Sequence, residues 1–300
     1  MPVNVRHRTD DAQKAEEYRF PWRAIVAEVT PALDALEADL EIVAFDSLRA
    51  LTPDVAMVLA KTPLRAVGRG APLCSLCKQF DTCLLAGPDM AATARPQPAA
   101  LLPSRVQRSA SLYRMGDRFA TLYAIRRGSF KTTLQTNAGQ EQVFGYHMPG
   151  EILGSDGIDL GRHGSDAVAL EDAEVCVIPF DWLENLARVH AAVQQTLHRI
   201  LAREIRREQR IMMLLGSMTA EQRLAAFLVD LSQRNAALGY SSREFVLRLT
   251  RAEMGSYLGL KLETVSRLFS RFHREGLIRV QGREVKLLDM PTLTMLLERS

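Results

Sequence analysis

The 300-residue chain has no uninterrupted run of about 18 apolar residues, so no membrane-spanning helix is expected. Its opening residues, MPVNVRHRTDDAQKAEEYRF, hold no apolar core of the kind that drives export. A soluble, cytoplasmic protein with no membrane partner is therefore expected. There is no Ser-His-Asp order, phosphate-binding loop or dinucleotide fingerprint, so no motif supports catalysis. No internal repeat is found. Charge of one sign is also scarce, with 38 Lys and Arg against 35 Asp and Glu. Only four cysteines are present, and in a reducing compartment a disulfide framework is the weaker reading of them.

What is present is ordinary in amount and uneven in placement. A hydrophobic fraction of 47% and a charged fraction of 24% exclude a wholly disordered chain, and the length suits about two domains. Residues 219–300 carry 13 basic against 9 acidic side chains, leaving 25 against 26 elsewhere. A basic C-terminal third suggests a polyanionic partner.

Five segments follow from the patterning. Residues 1–65 form an N-terminal extension, with one or two short helices expected between Trp22 and Phe45. Residues 66–107 hold a cysteine-rich loop and a Pro- and Ala-rich linker. Residues 108–188 show short alternating runs separated by turn residues, as in an antiparallel sandwich or jelly roll. These runs are Thr121–Ile125, Phe130–Leu134, Gln142–Tyr146, Ala167–Leu170 and Val175–Ile178, with a short helix expected at Phe180–Ala187. Residues 189–217 contain one long helix, Ala191–Leu215. Residues 218–300 alternate helices with short strands around Gln281-Gly282, and Thr219 with Gln222 marks a helix entry. The fold class expected is α+β: an antiparallel β jelly roll, one long helix and a C-terminal domain of helices with a short hairpin.

The cysteines are clustered. Cys74, Cys77 and Cys83 form a C-x2-C-x5-C run that lets three thiolates converge on one inorganic core, and Cys176 could supply a fourth ligand from a strand. Cys74 and Cys77 alone could be half of a zinc site, and Cys176 alone a buried small hydrophobe. His147 and Glu151 faintly suggest a metal-binding cupin, but the His-x-His pair is missing. His163, His190, His198 and His273 are assigned no partners.

The segment TRAEMGSYLGLKLETVSRLFSRFHREGLIRVQG has winged helix-turn-helix anatomy. A first helix, Arg251–Leu258, carries small residues (Ala252, Gly255) where two helices approach. Gly259 ends it and Leu260 buries beneath the turn. A second helix, 262–275, turns Val265, Leu268, Phe269 and Phe272 inward. Glu263, Ser266, Arg267, Arg271 and Arg274 face out. Arg267 can donate two hydrogen bonds to guanine, Glu263 can accept from cytosine, and Ser266 permits close approach to thymine. Arg251, Lys261, Thr264 and Arg271 complete the expected contacts to double-stranded DNA. In the long helix, Leu201, Ile205, Met212 and Leu215 form one coiled-coil seam, on which Glu208 would face its symmetry mate in a homodimer.

Together with LYAIRRGSFK, GYHMPGEILG, AEVCVIPFDWLENL and AEQRLAAFL, this segment resembles the cyclic-AMP receptor protein superfamily, closest to its FNR (fumarate and nitrate reduction) branch. The resemblance covers about residues 110–285. It implies that Glu263, Ser266 and Arg267 read a TTGAT half-site in an inverted repeat. It also implies that Cys74, Cys77, Cys83 and Cys176 hold a [4Fe–4S] cluster, that oxygen converts this to a smaller cluster and so releases the dimer, and that RNA polymerase is a partner. The superfamily's cyclic-nucleotide pocket needs an Arg-Ser pair where this sequence has Gly164-Ser165, which disfavours that ligand. The expectation is an oxygen-responsive regulator of anaerobic or microaerobic gene expression. The alternatives are a cluster-free regulator sensing nitric oxide or a small effector, and a metal-dependent sandwich enzyme.

Overall fold

The computed structural model describes residues 65–66, 103–135 and 141–298, all within one compact unit, Pro53–Ser300. Cys74, Cys77, Cys83, the helices expected between residues 22 and 45, and the expected turn at 137–139 lie outside the described residues.

Two antiparallel sheets face each other. One is ordered β1 (Arg65–Ala66), β2 (Pro103–Val106), β9 (Ala173–Pro179), β4 (Thr121–Arg127), β7 (Ile152–Leu153). The other is ordered β3 (Ser111–Tyr113), β8 (Asp166–Ala169), β5 (Phe130–Gln135), β6 (Glu141–His147). The jelly-roll expectation holds, and all five anticipated runs are strands. The first sandwich strands come earlier than expected, because β2 begins at Pro103, inside the stretch read as linker. Proline is tolerated there as the first residue of a strand.

Alternation along β4 and β9 explains the layering. Tyr123, Ile125, Val175 and Val177 point between the sheets, where Phe130 and Leu153 meet them. Leu122, Ala124 and Ile178 point the other way and are also buried. A sheet apolar on both faces needs a second cover. Helices α1 (Phe180–Val189) and α2 (Ala191–Ser217) supply it through Leu183, Val193 and Ile200. Gly128 closes the β4–β5 turn with φ +81°, and a Cβ there would lie 2.6 Å from that of Ala173. A side chain is excluded on both counts.

The rest of the chain runs α3 (Ala220–Ala237), β10 (Glu244–Val246), α4 (Arg251–Leu258), α5 (Leu262–Arg274), β11 (Ile278–Gln281), β12 (Glu284–Leu287), α6 (Met290–Glu298). The expected cap of α3 is present as a reciprocal pair: Gln222 N donates to Thr219 Oγ1 (3.3 Å) and Thr219 N to Gln222 Oε1 (2.8 Å). Such a box stabilises a helix by about 1 kcal/mol. The wing hairpin β11–β12 turns through Gly282-Arg283, one residue later than anticipated, because Gln281 still pairs with Glu284. Val143, Tyr146 and Met148 extend the core of this domain onto the sandwich.

Candidate nucleic-acid interface

The helix-turn-helix is built from its caps inward. Thr250 starts α4 with a capping box: Glu253 N donates to Thr250 Oγ1 (3.2 Å) and Thr250 N to Glu253 Oε2 (2.7 Å). Gly259 ends it in the left-handed conformation at φ +62°. Leu260 N then donates to Gly255 O (2.8 Å), folding the turn over the helix. A Cβ on Gly255 would sit 2.6 Å from Leu260 O, so the close approach is made at this glycine. Ala252, expected to share that role, is exposed.

Helix α5 buries Val265, Phe269 and Phe272 and half-buries Leu268. Glu263, Ser266, Arg267, Arg271 and Lys261 are exposed, and Thr264 is half-buried. Lys261 caps α5 without a side-chain hydrogen bond. The first-turn amides beside an exposed cation suit a phosphate oxygen. Arg267 rests its Nε on Glu263 O (3.3 Å), which leaves the guanidinium edge outward. Arg271 pairs with Glu221 (3.0 Å) and Glu275 (2.7 Å) in an exposed network that a phosphate could replace at little cost. Arg251 differs, because its guanidinium carbon lies 3.3 Å from the centre of the Phe269 ring. Burial lowers its pKa to about 10, which still leaves it charged at neutral pH.

Residues 222–296 match the Crp-like helix-turn-helix domain, and residues 103–190 match the cyclic nucleotide-binding domain. The chain is 53% identical over 193 residues to the transcriptional regulatory protein btr of Bordetella pertussis, covering 64% of this chain and 80% of that one. The chain belongs to the FNR-type branch of the Crp/Fnr regulator family. An anaerobic regulatory protein of Aggregatibacter actinomycetemcomitans is 44% identical over 188 residues, covering 63% of this chain and 73% of its own length. The solved structure of FixK2 from Bradyrhizobium japonicum aligns with a TM-score of 0.59 at 28% identity, covering 65% of this chain and 96% of that one. An FNR-type member is a DNA-binding transcription regulator and not an enzyme. Among the described residues no helix is long and apolar enough to cross a membrane.

The sensor sandwich of this Crp/Fnr member uses its polar groups internally. Asp156 accepts from Gly164 N (3.0 Å) and Ser165 Oγ (2.7 Å), and lies 3.3 Å from His163 Nδ1. Burial opposes its charge, but hydrogen bonds from His163 and Ser165 outweigh that and lower its pKa. His163, assigned no partner from sequence, therefore has three, since its ring also stacks on Tyr113 at 3.8 Å and meets Phe119 edge-on at 5.7 Å. His273, likewise unassigned, accepts a long bond from Val280 N (3.4 Å). Arg162 is exposed and donates to Gly116 O (3.0 Å).

Cys176 is half-buried on the helix-facing side of β9. On α2, Leu201 is half-buried, while Ile205, Glu208, Met212 and Leu215 are exposed. Ile205 and Met212 keep 55% and 65% of their surface open to solvent in the single chain.

Sequence reasoning missed a charged cluster where the sandwich meets α2 and α3. Glu151 Oε1 accepts from Arg207 Nη2 (2.7 Å) and Arg234 Nη2 (2.8 Å). Glu204 accepts from Arg207 (2.8 Å), and His147 Nε2 lies 3.1 Å from Thr132 Oγ1. Burial, then the charges of Arg207 and Arg234, hold His147 well below its usual pKa. The available signal was Glu204 and Arg207 at i,i+3, in register with the apolar inner face of α2.

Proposed function

We propose that this regulator is oxygen-responsive and binds an FNR-type inverted repeat as a homodimer while Cys74, Cys77, Cys83 and Cys176 hold a [4Fe–4S] cluster. When bound, the cluster supplies an oxygen-labile centre. The observation that carries the reading is strand register. Pro103 pairs with Cys176, and Ala66 pairs with Ser104, so one end of the cysteine segment starts beside the strand bearing Cys176 and the other lies one strand further out. Two strand spacings are about 10 Å, whereas eight residues, from Ala66 to Cys74, can span about 26 Å. The donor set fits an iron–sulfur core, because four cysteine thiolates are the ligands such a core takes, and Cys176 is half-buried rather than sealed in its strand.

The chain's own groups do the rest. Arg267, Glu263 and Ser266 meet base edges, while Lys261, Thr264, Arg251 and Arg271 meet the backbone. Leu201, Ile205, Met212 and Leu215 pair across a two-fold axis, because so large an exposed apolar ridge implies a partner. Only a dimer reaches both half-sites, so DNA affinity follows dimer population. Bound there, the dimer controls anaerobic or microaerobic genes through RNA polymerase. Cyclic nucleotide is not the signal, since Asp156 already occupies the amide and hydroxyl donors that a cyclic phosphate would need.

Anaerobic purification with iron and acid-labile sulfide analysis tests this. Equal iron and sulfide, both lost in Cys176→Ala together with oxygen-responsive DNA binding, are expected. Colourless, iron-free protein that still binds its inverted repeat would overturn it.

A further inference from the structure

The carboxylate of Glu151 joins three parts of the molecule. It lies in the turn between β6 and β7, and its side chain is only 16% exposed. Oε1 accepts from Arg207 on α2 and Arg234 on α3, while Oε2 accepts from Met148 N of its own turn (3.1 Å). One buried oxygen shared by two guanidinium groups from different elements fixes both elements against the sandwich.

Arg234 is committed to this site by several contacts. It also donates to Tyr146 O (2.9 Å) and Asp230 (3.3 Å), with its guanidinium 5.2 Å from the Tyr146 ring centre. Burial disfavours its charge, but Glu151 and Asp230 more than offset that and raise its pKa. Its Nε is buried without a hydrogen-bond partner among the described residues, so the pairing comes at a desolvation cost. Replacing such a buried pair by apolar groups is often neutral or stabilising, so the pair is weak evidence of a purely stabilising role.

A second contact runs in parallel along edge strand β6. Val143 N donates to Ser256 Oγ of α4 (2.8 Å), and Gln142 Nε2 donates to Ser256 O. Lys131 reaches Glu253 (3.0 Å), the residue that closes the cap of α4. The helix-turn-helix is thus held by its first helix to the same sheet edge.

We infer that Glu151 is a positioning residue for DNA binding: through Arg207 and Arg234 it sets the angle at which the sandwich and α2 present the helix-turn-helix. The inference needs the DNA-binding domain but not the cluster, so iron content read on the same samples keeps the two apart.

The test measures affinity of the full chain for a duplex carrying the inverted repeat, by fluorescence anisotropy at fixed salt under anaerobic conditions. Dimer fraction by sedimentation and iron per chain are read alongside. Glu151→Gln and Arg234→Lys are each expected to weaken binding at least tenfold, with dimer fraction and iron unchanged. The double variant is expected to be no worse than the weaker single, and Glu151→Asp to recover to within threefold. If Glu151→Gln does not fold, Arg234→Lys decides by the same measures. Single variants within twofold of the parent, losses that multiply in the double variant, or a parallel fall in dimer fraction would overturn the inference.

Discussion

The two long faces of α2 carry nearly the same pattern and meet opposite fates. The inner face runs Val193, Leu197, Ile200, Glu204, Arg207, Ile211, Leu214, and the outer face Leu201, Ile205, Glu208, Met212, Leu215. Each is an apolar heptad seam interrupted by charge near its middle. Inside, the interruption is answered by Glu151 on the sandwich and Arg234 on α3. Outside, within a single chain, Ile205 and Met212 remain exposed beside Glu208. Periodicity therefore identifies a seam, but only the partner decides whether a charge within it is a strut or a repulsion.

The comparison breaks most sharply at Met212. If the outer face is a dimer seam, Met212→Glu places a carboxylate against its own copy in an apolar contact. The dimer dissociation constant should rise on the order of 10³-fold, about 4 kcal/mol. Sedimentation equilibrium checks this, and thermal unfolding of the monomer should hardly move. On the inner face the effect reverses. Ile200 is buried against the sheet, so Ile200→Ala should cost about 2–5 kcal/mol of unfolding free energy by leaving a cavity. Urea titration at fixed concentration separates the two outcomes.

Which of these features the sequence disclosed depends on their range. Both capping boxes lie within four residues, and Thr219 with Gln222 was legible. The α4 and α5 boundaries followed from Gly259 and from apolar spacing, as did the jelly roll from alternating runs between turn residues. By contrast, β3 and β7 span three and two residues, too short to show a period, and β2 opens on a proline that reads as linker. The Glu151–Arg234 pair spans 83 positions, and no local pattern links a turn to a helix end at that distance. The same limit explains His163, whose partners Asp156 and Tyr113 come together only when the sandwich closes. For the DNA-facing set, a residue's exposed helical position was legible. The lateral contacts that hold Arg251 on Phe269 and Arg271 on Glu221 were not.

Titration sharpens the inner face further. Burial raises Glu204 to a pKa of about 7, with Glu151 and Glu208 adding repulsion and Arg207 and Arg234 opposing it. The folded state thus holds this proton more tightly than the unfolded state, whose carboxyl titrates near its ordinary value of about 4.3. The associated stability is fully present below that value and is lost as pH rises through about 7. Glu204→Gln, which keeps an acceptor for Arg207, should flatten the stability profile between about pH 4 and 7. It should also raise stability at the alkaline end by about 1–2 kcal/mol. An unchanged slope in denaturant melts across that range would remove Glu204 as the titrating group.

The smallest effect is expected at Glu208, and it bears most directly on what separates the two faces. Exposed on the outer seam, Glu208 has no counterpart of the Glu151 strut if α2 pairs with its own copy. Two carboxylates close together in a water-accessible seam repel by about 1 kcal/mol. Glu208→Ala should therefore tighten the dimer about fivefold and raise DNA affinity in air by a similar factor. The alternative is that Glu208 turns aside to the arginines of its own helix, such as Arg203 or Arg210. In that case the substitution removes a weak attraction and leaves the aerobic association state unchanged. Sedimentation velocity in air distinguishes the two directly. A tightened dimer would make the outer seam a surface held short of its full apolar affinity by one charge, while on the inner seam Arg207 is paired with Glu151 and Glu204.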